Sequence, residues 1–265
     1  MNNLDTLIEN GLVVTENEIG HLNIGIKDGK IAYLGDENLN AEFKINASDL
    51  IVLPGGIDPH VHVDQPSGDD VIMADNFQSA TKSAAAGGNT TILPFAMQIK
   101  GQSLRKCVED YHKKAQGNMY IDTSFHLIIS DPTPQVLGQE LPALSKDGYT
   151  SFKVFMTYDD LVLNDKELIE VFDVAKQLKT LVMVHAEGYD SIKYLSDKFE
   201  KEGKTAPYYH APTRPQIVER EATHRAISHA QIVDIPLMIV HVSGEEALNQ
   251  IRWAKDKGIK VFSET

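Results

Sequence analysis

Apolar, β-branched runs recur from residue 51 onward, helical segments separate them, and a region of short strands and turns precedes them. Together these predict an α/β protein: a small N-terminal β-sandwich portion over residues 1–52, then a (β/α)8 TIM-type barrel over residues 53–265, incomplete in this chain. The runs lack polar alternation, as strands do when both faces are buried in a parallel sheet under helices. Right-handed βαβ repetition permits either an open doubly wound sheet or a barrel. No G-x-G-x-x-G follows the first run, which weakens the dinucleotide-binding form of the open sheet.

In the first region, "DTLIENGLVV" places β-formers around a turn-prone Asn10-Gly11. "LNIGIKDGKIAYLG" is two alternating runs joined by Asp28-Gly29, a strong hairpin signal. "EFKINASDLIVLPG" adds one strand or two. The barrel runs are "LIVLPGGI", "NTTILPFA", "YIDTSFHLII", "TSFKVFM", "TLVMVHAE", "IPLMIVHVS" and "IKVFSE". Between them, "ADNFQSATKSAAAGG", "SLRKCVEDYHKKAQG", "PQVLGQELPALSKDG", "DKELIEVFDVAKQLK", "REATHRAISHAQIVD" and "EEALNQIRWAKDKG" show helical periodicity. Several begin near Asp, Asn or Ser and end at Gly, as capping requires. The stretch 187–213 reads as an insertion with a Pro-rich loop. A barrel closes with eight strands, one more than the runs found, so the natural protein is expected to continue beyond Thr265.

The chain has 265 residues, 42% hydrophobic and 24% charged, which suits a soluble globular protein with a core that needs no disulfides. Its one cysteine, Cys107, fits a reducing compartment, so a cytoplasmic location is expected. The N-terminus has acidic residues and no basic leader. The net charge of −13 argues against nucleic acid or an anionic membrane as partner, since both need a basic footprint.

In a barrel, chemistry sits at the C-terminal ends of the strands. The first run ends in His60 and His62, the fifth in His185 and the sixth in His241, while the fourth carries Lys153, followed by Tyr158. A period of two puts His60 and His62 on one side of an extended segment. Neutral imidazole is a common ligand for zinc and similar cations. A lone strand-end histidine ordinarily makes a structural hydrogen bond, and His126 is assigned that role. His112, His224 and His229 lie on helices and read as surface or packing residues. For His60, His62, His185 and His241 together, the structural alternative needs four independent coincidences at one rim.

Lys153 is the odd member, because an ammonium cannot ligate a cation. Desolvation and nearby positive charge would depress its pKa. The neutral amine can take up CO2 as a carbamate, an anion able to bridge two metals. From the letters, a structural or substrate-binding lysine is the commoner reading.

"LPGGIDPHVHVD", "FKVFMTY", "VHAE", "RPQIVEREATHRAI" and "IVHVS", in this order and spacing, resemble the cyclic amidohydrolases of the dihydropyrimidinase and D-hydantoinase family. The resemblance covers the whole chain. It implies a binuclear site of two divalent metal ions, usually zinc. His60 and His62 match the ligands of the more buried metal, His185 and His241 those of the second. Lys153 matches the carboxylated lysine bridging both. Tyr158 matches the tyrosine that hydrogen-bonds the substrate carbonyl and the developing oxyanion. The family's proton-shuttling aspartate follows strand eight, beyond "VFSET", so no residue here is given that role and the 265 residues alone are expected to risk inactivity.

The implied reaction is hydrolysis of a cyclic amide, in a dihydropyrimidine or 5-substituted hydantoin, to an N-carbamoyl amino acid. Water activated between the metals attacks the ring carbonyl. Asp64 bears on the substrate: it would repel a carboxylate and so favour uncharged rings, unless it faces away and only serves the loop's own hydrogen bonds. An allantoinase-like amidohydrolase and a non-catalytic scaffold are the rivals. The resemblance also implies a homo-oligomer, commonly a tetramer.

Overall fold

The computed structural model describes residues 4–68 and 71–265. The chain divides into two compact units, Met1–Gly56 and Ile57–Thr265. The smaller unit holds β1 (Leu4–Glu9), β2 (Leu12–Val14), β3 (Ile19–His21), β4 (Asn23–Lys27), β5 (Lys30–Gly35), β6 (Ala41–Asn46) and β7 (Ile51–Val52). They form a sheet in the order β5-β4-β1-β6 and a second in the order β3-β2-β7. The β4–β5 hairpin turns on Asp28 and Gly29 at φ 51° and 71°, the paired positive values a two-residue hairpin loop demands. Asn10, at φ 68°, instead carries the chain from one sheet to the other. Gly11 follows because a Cβ there would lie 2.6 Å from Val52 Cγ2.

The larger unit runs β8 (Gly56–Val61), α1 (Phe77–Ala86), β9 (Asn89–Met97), α2 (Leu104–Ala115), β10 (Asp122–Thr123), β11 (His126–Ile128), a π-helical turn Val136–Glu140 and α3 (Leu141–Lys146). It continues with β12 (Ser151–Phe155), α4 (Asp165–Leu178), β13 (Leu181–His185), α5 (Tyr189–Lys201), a 3-10 segment Pro207–Thr213, α6 (Gln216–Val233), β14 (Leu237–Ile239), α7 (Glu245–Asp256) and β15 (Val261–Ser263). β8 pairs with β9, and from β9 to β15 every pairing is parallel and follows chain order. β10 and β11 both pair with β9 and are two pieces of one strand position. This is the α/β winding that the recurring runs predict, and the sheet curls far enough for residues at its two ends to touch.

Two local expectations change. The run 51–57 is not one strand. Pro54 and Gly55 interrupt it: Ile51–Val52 pairs with β2 in the small unit, and the barrel's first strand starts at Gly56. The stretch 187–213 is not mainly loop but begins with the helix α5. That helix spaces Tyr189, Ile192, Leu195 and Phe199 three or four residues apart, a helical apolar stripe of which only Ile192 is fully buried.

The pleat then sorts side chains. On β12 and β13, Phe152, Val154, Val182 and Val184 join the core under the helices. Their alternates Phe155 and Met183 join Phe95, Ile128 and Val240 in a separate inner cluster. Lys153 lies opposite Met183, and His185 opposite Phe155, in register. The inner face therefore carries the reactive side chains because of strand period alone. None of the described helices is long and apolar enough to cross a membrane.

Candidate metal centre

His60, on β8, and His62, just past it, have ring centroids 5.5 Å apart. His60 is 5.6 Å from His241, and His241 is 4.5 Å from His185. The four predicted histidines thus form one unbroken chain of rings. Phe95 of β9 supports two of them, with its centroid 4.8 Å from His60 and 4.9 Å from His62. Tyr158 stands 5.1 Å from His185 and is 42% exposed, so its hydroxyl borders solvent. Both Tyr158 (φ 73°) and His241 (φ 39°) sit in the left-handed backbone region, where strain tends to collect at functional sites.

Lys153 is fully buried, and its Nζ has no hydrogen-bond partner among the described residues. Its neighbours are aromatic: Nζ lies 5.0 Å from the Phe95 centroid and 5.1 Å from that of Phe155. Burial pushes its pKa down to about 7, partly opposed by the negative Glu264. Native structures rarely leave a buried amine orphaned, so this one calls for a missing partner.

Hydrogen bonds around the rings set their tautomers. His62 Nδ1 is 2.7 Å from Gln65 Oε1, while Gln65 Nε2 donates to the Phe95 carbonyl at 2.7 Å. His60 Nδ1 meets Glu264, and His185 Nε2 is 2.7 Å from Glu187 Oε2. Burial holds His62 below the usual imidazole range, against the pull of Gln65. His241 falls to about 3 through burial first, then through the positive charge of His185, Lys153 and His60. His62 and His241 are therefore neutral near pH 7, the form that donates a lone pair to a cation. As they stand, no three His, Cys, Asp or Glu side chains among the described residues are already closed around a common point. Three of the four rings are instead turned to acceptors of their own. The donor set suits a metal on chemistry: four imidazoles cluster near a buried amine that has no hydrogen-bond partner among the described residues.

Asp64 is not brought into this group. Its carboxylate is 3.0 Å from Lys114 Nζ on α2, and its N–H donates to the Asp75 carbonyl. The loop-serving reading of Asp64 accounts for these contacts. His126 also behaves as read: Nε2 donates to the Pro59 carbonyl at 2.8 Å, and Nδ1 faces the Ser151 hydroxyl. Glu187, Glu264, Gln65 and Phe95 were not singled out from sequence. Only Glu187, two residues past His185 in "VHAE", had a local signal.

A cavity of about 500 Å3 opens beside Tyr158, lined in part by Met97, Thr157, Leu161, Tyr189 and Arg214. A larger hollow, about 610 Å3, lies between the starts of α4 and α5 and the flank of α6 and does not reach the histidines.

A curled parallel sheet with its polar side chains at one rim defines a (β/α)-barrel protein with a site at the strand ends. More narrowly, the chain belongs to the amidohydrolase family, whose model matches residues 51–265. It is 46% identical over 263 residues to a D-hydantoinase of Ralstonia pickettii, covering 99% of this chain and 57% of that protein. A solved D-hydantoinase structure matches with a TM-score of 0.96 at 46% identity, over 99% of this chain and 57% of the other. A dihydropyrimidinase structure from Brevibacillus agri gives 0.94 at 41% identity, over 98% and 57%. The chain therefore spans 57% of the length of these relatives.

Proposed function

We propose that this chain carries the metal-binding part of a hydrolase that opens the cyclic amide of a dihydropyrimidine or a 5-substituted hydantoin, yielding an N-carbamoyl amino acid. The observation that supports this most directly is the orphaned Lys153 Nζ beside four clustered imidazoles. His60 and His62 would hold one divalent cation and His185 and His241 a second, zinc being the expected metal. Lys153 would join both as a carbamate. Its neutral Nζ forms a bond to the carbon of CO2 and releases one proton to solvent, leaving an anion with two oxygens. Bound there, the cations would supply Lewis acidity at a carbonyl oxygen and lower the pKa of a water.

Tyr158 would donate its O–H to the oxygen of the scissile carbonyl and to the oxyanion that grows there. Burial raises its pKa, ahead of the effect of Glu187, so the proton stays on the hydroxyl at working pH. The adjacent cavity would take the ring's substituent. The charge of Asp64 is occupied by Lys114, so a part in excluding anionic rings would act through the loop it anchors. The single buried Cys107 suits the cytoplasm, and a homo-oligomer, with four subunits in the family pattern, is expected. A sedimentation run at micromolar concentration that gave monomer alone would remove that last expectation.

Purified full-length protein, extending past Thr265, supplied with zinc and bicarbonate should turn over dihydrouracil or hydantoin and leave allantoin untouched. Preference for allantoin would move the assignment to an allantoinase-like enzyme. Stoichiometric metal without turnover of any of the three would favour a scaffold.

A further inference from the structure

Of the three clustered histidines that have acceptors, one is held by the opposite nitrogen. His60 and His62 are engaged through Nδ1, which leaves Nε2 for other work. His185 is engaged through Nε2, 2.7 Å from Glu187 Oε2, and its Nδ1 has no hydrogen-bond partner among the described residues. An ionised carboxylate only accepts. The shared proton therefore belongs to the ring, as Nε2–H, and the lone pair sits on Nδ1.

Glu187 is itself held. Its Oε1 lies 3.6 Å from Arg214 Nε. Arg214 Nη1 donates to Thr213 Oγ1 at 3.1 Å and approaches His210 Nδ1 at 3.3 Å. Thr213 is buried, so the guanidinium has a firm base. The segment 187–214, which leaves the barrel at β13 and returns before α6, thus reaches back to grip the last residue of β13.

We infer that Glu187 is a positioning residue for His185: backed by Arg214, it selects the Nε2–H tautomer and so presents Nδ1 to the cation, opposite in sense to His60 and His62. This rests on the metal-centre reading for its consequence, although the tautomer is set in the metal-free protein. Carboxylate partners of this kind orient a ligating imidazole and raise its basicity, and losing one typically weakens metal binding about 10–100-fold.

The test uses two readouts on the whole chain. Long-range 1H–15N spectra of the metal-free protein, with His185 assigned by its loss in His185→Gln, should show Nε2–H in the wild type. Glu187→Leu should shift the ring toward a tautomer mixture, whereas Glu187→Gln, which keeps an acceptor, should not. Zinc affinity, read by competition with a chelator, should fall about 10–100-fold in Glu187→Leu and less in Glu187→Gln, with total uptake at saturation unchanged. Arg214→Met serves as a second variant if Glu187→Leu does not fold, and should lower affinity in the same direction. Nδ1–H in the wild type, or undiminished affinity in both Glu187→Leu and Arg214→Met, would overturn the inference. So would loss of part of the saturating zinc in Glu187→Gln, which would make Glu187 a ligand. If the wild type takes up no zinc, the metal-centre reading fails, and the tautomer spectra still decide this one.

Discussion

Lys153 shows how a residue costly to the fold can stand where the proposed site needs it. Its pKa of about 7 against an ordinary 10.5 means that the unfolded chain binds more protons between those values. Stability of the metal-free protein should therefore rise with pH through that window, by an amount on the order of 5 kcal/mol, and the gain is lost as pH falls through 7. Denaturant melts of metal-free, CO2-free protein at pH 7 and pH 10 check this. Lys153→Met should flatten the difference and raise stability at pH 7, while abolishing zinc uptake if the amine becomes a ligand. A wild type with no rise would show that the amine is solvated. Tyr158→Phe removes only the hydroxyl, and in a complete enzyme kcat should fall about 10²–10³-fold with little change in melting. Equal kcat in the two proteins would take Tyr158 out of the reaction. The type and order of the site residues were legible in the sequence, because strand-end positions and period-two spacing are local properties. The acceptors were not: Glu264 meets His60 across 204 positions of chain, and no local pattern marks such a pair.

At the level of elements, caps place the loops that bear the site. Asn164 accepts from the Glu167 N–H while Glu167 returns a bond to the Asn164 N–H, closing a capping box at the start of α4. The segment from Tyr158 to Asn164 is thereby anchored at its far end. Asn164→Ala should cost about 1 kcal/mol in denaturant melts, and a cost near zero would mean that the tertiary contacts of α4 make the cap redundant. Caps of this kind, at Asn76, Ser103 and Asn164, are readable from letters because the bond closes within three residues. The rhythm of α5, with Tyr189, Ile192, Leu195 and Phe199 at helical spacing, is also legible in the letters, although only Ile192 is buried. By contrast, the 51–57 run misled. Its composition suits a strand, but Pro54 has no N–H for a ladder, and only pairing with β2 decides where Ile51 and Val52 belong.

Across the larger unit, the shell that packs strands against helices should hold the site together. Phe152, buried beside Lys153 on the opposite face of β12, supports that strand from behind. Phe152→Ala should cost about 3–5 kcal/mol and weaken zinc binding with no ligand changed. Unaltered affinity in a folded variant would show that strand position and site geometry are uncoupled. By itself, the sequence determined the winding of strands and helices, the hairpin at Asp28–Gly29, which imidazoles stand at strand ends and which strand carries the amine, because each follows from a spacing of a few residues. Only the tertiary structure decided that the sheet curls until His60 meets His241 and Glu264, that Lys153 Nζ is left without a hydrogen-bond partner among the described residues, and that Asp64 turns to Lys114. Those outcomes depend on distances between segments far apart along the chain, which packing sets and local spacing does not encode.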